Sequence, residues 1–246
     1  MLKHIRTDFM TSILPVTINN YSNNSLQPKV KPKTQNLSET LSMEKQFPWV
    51  MDKNIILALK ELSQITFKPE EVAELEKLGV NIPFISGADA VKFLKDSNVR
   101  IFFDDMPAEI HAQYDYLKNF VKINSLYKNT VNSAEILAIA EAILHEAGHA
   151  KDNDDKSSVQ EEINSLGTNA LAHRNLQRRY PYLFITSNAL IVKDGVQVYE
   201  KLFFDTDSDK KALVKRLQVK YGYLPAGDEK HPPTKLANKV KGLSVK

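Results

Sequence analysis

The stretch SAEILAIAEAILHEAGHA, residues 133–150, decides how the rest of the chain is read. Ala, Leu, Ile and Glu dominate it, and all of them but Ile rank among the strongest helix formers. Asn132 followed by Glu135 is a capping-box-like start, with Asn in place of Ser or Thr. Ile136, Leu137, Ile139, Ala140, Ile143 and Leu144 leave little polar surface ahead of residue 145, so the helix is expected to be buried nearly all round. Set into this apolar segment are His145, Glu146 and His149, the pattern HExxH. Gly148 is a poor helix residue, by about 1 kcal/mol relative to Ala, and a glycine there can admit close approach of another segment or of substrate.

An i, i+4 pair puts both imidazoles on one helical face, where two ring nitrogens can bind one Zn2+. Glu146 follows the first histidine directly, within reach of a water on such a metal. It would accept the water's proton as general base and deliver it to the leaving amine. A catalytic zinc needs a further protein ligand and an open position. Asp155, Glu161 and Glu162 all follow within twenty residues. Asp155 stands six residues after His149, where metzincin-like sites carry a ligand. The turn glycine of that pattern is Asp152 here, and every methionine lies upstream, so no downstream Met-turn can form.

The HEAGH segment and the helix after it resemble the gluzincin metallopeptidases, and within them the small bacterial peptidases of the ImmA/IrrE type. The likeness spans about residues 109–176 and is specific at HEAGH. It implies a zincin-like fold, a glutamate ligand on the second helix, and hydrolysis of peptide bonds in a peptide or protein substrate. In such helices the ligand is followed by apolar residues two and five places on, which favours Glu161 (Ile163, Leu166) over Glu162 (Asn164, Gly167). Ser158 with Glu161 also forms an S-x-x-E capping box, a competing use for that carboxylate. Two features depart from the families: the gap from His149 is short, and Ser165 stands where an Asp or Asn is usual. The expected metal set is His145, His149 and Glu161, with Glu146 catalytic.

Outward from this centre the chain reads as α+β. Ile55, Ile56, Leu59 and Leu62 recur at helical spacing, Pro69 opens a second helix that Gly79 ends, and Ser86 caps a third over 87–96. VRIFFDD (99–105) reads as a buried strand, and EIHAQYD (109–115) and FVKIN (120–124) flank the turn-like YLKN. Together they predict a small, mostly antiparallel sheet packed on the HExxH helix. Either of the last two segments could be the edge along which an extended substrate adds as a strand. VQEEINSLGTNALAHRNLQRRY (159–180) reads as the second central helix, stopped by Pro181. LFITSNALIV and VQVYEKLFF, around Asp194-Gly195, read as a β-like pair, followed by a helix over 208–220. Tyr127, His173, Tyr180, Tyr223 and His231 are available as donors to an oxyanion, whereas His111 reads as a strand residue.

Composition sets the outer bounds. The chain has 246 residues and no cysteine, which excludes disulfides, a thiol nucleophile and cysteine-ligated metal. No run approaches the ~20 apolar residues of a membrane span, and the N-terminus lacks a secretory pattern, so a cytoplasmic protein is expected. The formal charge of +3 is unevenly placed: residues 1–50 carry +3, residues 208–246 carry +7, and those between carry −7. Residues 1–48 are polar and basic and read as disordered, 49–222 as the metallopeptidase domain, and 223–246 as a basic Pro/Lys-rich tail. The alternative reading is a zinc-stabilised binding or regulatory module with little or no peptidase activity. The basic tail alone, without a recognisable nucleic-acid module, does not argue for a nucleic-acid partner.

Overall fold

The computed structural model describes residues 47–186, 197–204 and 207–243. The expected disorder of residues 1–48 falls almost entirely outside them. Three helices come first: α1 (Lys53–Ser63), α2 (Pro69–Lys77) and α3 (Gly87–Asp96). Each begins as its sequence signals require. Asp52 Oδ1 accepts from Asn54 N, Pro69 occupies the first turn of α2, and Ser86 Oγ accepts from Asp89 N. Gly79 follows α2 at φ +83°, a left-handed conformation that glycine adopts without a Cβ penalty.

The strands β1 (Arg100–Asp104), β2 (Ala112–Asp115) and β3 (Phe120–Asn124) form a sheet of order β1-β3-β2. β2 and β3 pair antiparallel through a turn whose Asn119 is left-handed, at φ +56°. β1 pairs with β3 in parallel, Ile101 opposite Val121. The sheet is therefore mixed, one pair of each kind, where a mostly antiparallel one was expected. The reason is the connection 105–111, which carries the chain past β3 to the far edge before β2 begins. β1 also lies less deep than its apolar run suggested: Ile101 is buried, while Phe102 and Phe103 are half-buried on an edge strand. Of the two candidate edge segments, the one containing β2 lies at an edge, and FVKIN is central.

The long helix α4 (Ser133–Asp152) packs against α1, α3, β2, β3 and α5 (Val159–Arg179). Ile139, Ile143 and Leu144 join Ile55, Leu59, Leu94, Val121 and Ile123 in one core, as expected of a helix apolar on nearly all sides. Burying each such side chain contributes about 1.5–3 kcal/mol. Asn132 caps α4 through Ala134 N. At the other end Asn153 is left-handed (φ +49°), and its N–H donates to His149 O. Asn153 Oδ1 lies 2.9 Å from Tyr114 OH, which ties the turn after α4 to the sheet.

A second core covers the opposite side of α5. Val159, Ile163, Leu166 and Ala170 pack with residues of α7 (Gln197–Phe204), α8 (Asp207–Tyr221) and α9 (Lys235–Val240). Two expectations change here. Leu183–Thr186 belong to a helix, α6 (Pro181–Thr186), and Gln197–Phe204 is helical, so the described parts of the expected β-like pair are not strands. Residues 187–196 lie outside the described residues. Tyr199 and Phe203, four apart, are both buried, and that helical spacing outweighs the β-preference of aromatic residues. The segment after residue 222 was expected as a tail, yet Leu236, Ala237 and Val240 sit in this core. Among the described residues no helix is long and apolar enough to cross a membrane.

Candidate metal centre

α4 and α5 form an antiparallel hairpin joined by residues 153–158. Ser158 caps α5, its Oγ accepting from Glu161 N at 3.2 Å. The hairpin closes tightly at Gly148, where a Cβ would stand 2.8 Å from Ser165 Oγ. That contact is the close approach the glycine's position anticipated. Further from the turn, His173 Nδ1 meets Glu141 Oε1 at 2.7 Å, both side chains fully buried. Ser165 and His173 thus share the face of α5 that looks at α4, and Glu162 lies three residues before Ser165 on that same stripe.

His145 and His149 meet edge to face, with ring centroids 4.9 Å apart, and their Nε2 atoms lie 3.2 Å from each other. Glu162 reaches both: one carboxylate oxygen is 3.7 Å from His145 Nε2 and the other 3.5 Å from His149 Nε2. All three side chains are buried, at 2%, 0% and 1% exposure. Ligand atoms at 2.0–2.1 Å from one ion in a tetrahedral site stand about 3.3 Å apart. One ligand atom from each of the three residues lies within 4.8 Å of the other two, so this buried group could hold a metal ion.

The arrangement departs from the expected set at one position. Glu162 converges with the two Nε2 atoms, whereas Glu161 Oε1 lies 2.6 Å from Nδ1, the other nitrogen of the His149 ring. A carboxylate that accepts the Nδ1 hydrogen fixes the tautomer in which Nε2 carries the lone pair a cation needs. The capping role of residue 161 falls to its backbone N–H, so cap and carboxylate serve different partners. Asp155 is exposed in the turn and is not brought to the group. Glu146 is buried on the same turn of α4 as the histidines, at 2% exposure.

The five polar residues considered as oxyanion donors scatter. Tyr127 OH lies 2.5 Å from His111 Nδ1 beside the sheet, and burial pushes its pKa up to about 12. Tyr180 bonds Glu61, and Tyr223 is largely exposed. His173 is held by Glu141 and Gln177. His231 comes from the C-terminal segment to the end of α4, its Nε2 3.3 Å from Asp152 Oδ1 and its Nδ1 3.4 Å from Asn164 Nδ2. The Asp152 hydrogen bond raises its pKa above the ordinary histidine value, against the opposing effect of partial burial.

Composition gave no hint of this C-terminal brace. Pro225 O and Ala226 O accept from Val159 N and Gln160 N, two first-turn N–H groups of α5 that have no partner within the helix. Lys230 Nζ bonds Asp152 O and lies 3.3 Å from Asp154 Oδ2. Gln160 ties the brace to α5 through Thr234. The helix turn that carries Glu161 and Glu162 is therefore held from outside as well as by its own cap. No protein-family model matches the chain, and no curated protein or solved structure matches it.

Proposed function

We propose that the chain is a zinc-dependent metallopeptidase with a zincin-like site. The observation that carries the reading is the convergence of His145 Nε2 and His149 Nε2 on the HExxH helix with the Glu162 carboxylate on α5, their ligand atoms within 4.8 Å of one another. His145, His149 and Glu162 would hold the metal, and Glu161 would orient His149 through Nδ1. A zinc ion bound there supplies a lowered water pKa and a polarised substrate carbonyl. Glu146, next to His145, takes the proton from the attacking water and returns it to the leaving amine. β2 lies at the sheet edge beside α4, where an extended peptide gains main-chain hydrogen bonds as an added strand.

The deep burial of the three ligands favours one second reading, a metal-stabilised binding module without hydrolysis. Glu146→Gln separates the two, because it keeps shape and removes the base. The peptidase reading expects the metal to remain bound while cleavage of a degenerate peptide library falls by 10²-fold or more. A wild-type protein that binds one zinc and cleaves no member of the library would leave the binding module standing.

A further inference from the structure

Away from the candidate metal centre, residues of α2, α8 and α9 line a half-open cavity of about 710 Å³. Its rim carries Lys77, Lys211, Lys235 and Lys239, and its floor includes the buried Leu213 and Leu236. Among the described residues no carboxylate lines it, and none of these four ammonium groups takes part in an ion pair. Four like charges around one apolar opening repel one another. An arrangement of that kind gains most from a ligand that brings negative charge to the rim and apolar groups to the floor. We infer that this cavity binds an acidic peptide segment bearing aliphatic side chains.

The charges arise on three elements, and Lys235 and Lys239 alone stand about 6 Å apart along their helix axis. A ligand with several separated carboxylates matches that spread better than one headgroup does. Single-stranded nucleic acid takes aromatic platforms for its bases, and the described lining has no aromatic side chain. The residues 1–46 of this chain carry net positive charge and are therefore unsuited to the cavity. The binding inferred here does not depend on whether the metal centre cleaves peptides.

The test uses the full chain and a fluorescein-labelled Glu/Leu peptide of roughly a dozen residues, read by anisotropy. Three probes serve as controls: the same peptide with Leu replaced by Ser, a single-stranded oligonucleotide of equal charge, and a fatty-acid anion as competitor. Saturable binding of the Glu/Leu peptide is expected, weakened at least ~10-fold by K235E/K239E and again by the Leu-to-Ser change. All four lysine side chains are exposed, and an unchanged unfolding midpoint shows that the variant is folded. Should the double variant bind as tightly as wild type, the cavity is not the site. Equal binding of the Ser peptide, tighter binding of the oligonucleotide, or displacement by the fatty acid would each overturn the assignment to an aliphatic acidic peptide.

Discussion

Glu161 Oε1 stands 2.6 Å from Nδ1 of His149, and the next residue along the helix, Glu162, addresses Nε2 of the same ring. Two adjacent carboxylates thus act on opposite nitrogens of one imidazole, and their substitutions are expected to differ in kind. On the proposed reading, Glu162→Ala removes a ligand and is expected to abolish tight zinc binding. Glu161→Gln leaves three ligands and removes their orientation, so zinc affinity falls about 10–100-fold while one ion still binds at saturation. Titration against a chromophoric chelator measures both. Tight zinc in Glu162→Ala together with its loss in Glu161→Gln would exchange the two roles.

Much of this hairpin was legible from residues 133–180, because capping residues, apolar periodicity and an i, i+4 histidine pair are local signals. The choice between Glu161 and Glu162 was not, since it depends on the rotational phase of α5. That phase is set by the six-residue turn and its ties: Asn153 to Tyr114, Ser158 to Glu161 N, and the carbonyls of Pro225 and Ala226. In retrospect Glu162, Ser165, Asn169 and His173 form a polar stripe at three- and four-residue spacing within a buried helix. Such a stripe is unusual unless it faces polar partners. The C-terminal brace was illegible for a different reason. Its apolar residues Leu236, Ala237 and Val240 are few, and the lysines around them (Lys235, Lys239, Lys241) dominate any compositional reading.

The buried pair of Glu141 and His173 sits four residues along α4 from His145 and touches no solvent. Removing one member of a buried, hydrogen-bonded pair strands the other. Glu141→Ala is therefore expected to cost about 3–5 kcal/mol, whereas Glu141→Leu with His173→Leu recovers most of that loss. Urea unfolding of wild type and the two variants measures the difference. A double variant as unstable as the single one would show that the pair is not an isolated unit of the α4–α5 interface.

His231 and Glu71 give stability opposite dependences on pH. The His231 value is raised by its hydrogen bond to Asp152, so its contribution is complete below the ordinary value of 6.5 and is lost as pH rises through the folded-state value. Burial pushes the Glu71 carboxyl up, but its bonds to Arg178 and Arg174 prevail and hold it below 4.5. Its contribution is present above 4.5 and fades as pH falls through the folded-state value. His231→Gln is expected to flatten the alkaline decline and Glu71→Gln the acidic one in a series of denaturant midpoints. A His231→Gln profile parallel to wild type above pH 6.5 would disconnect that residue from the decline.

Gln160 joins the brace, the turn after α2 and the first turns of α5 through both polar atoms of its side chain. Nε2 donates to Gly79 O and Asn164 Oδ1, and Oε1 accepts from Thr234 N and Oγ1. It is buried at 2% exposure, and truncation removes the side-chain partners of Gly79 O and the Thr234 N–H. Each such group costs about 1–3 kcal/mol. Gln160→Ala is expected to destabilise the protein by more than one such group, and Gln160→Glu by more again, since it places a carboxylate against two acceptor oxygens. Because the same turn carries Glu161 and Glu162, saturating zinc should restore part of the loss, by selective binding to the folded state. Thermal unfolding with and without zinc reads this linkage. A Gln160→Ala protein that loses stability without any change in zinc affinity would show that the brace supports the fold and leaves the ligands where they are.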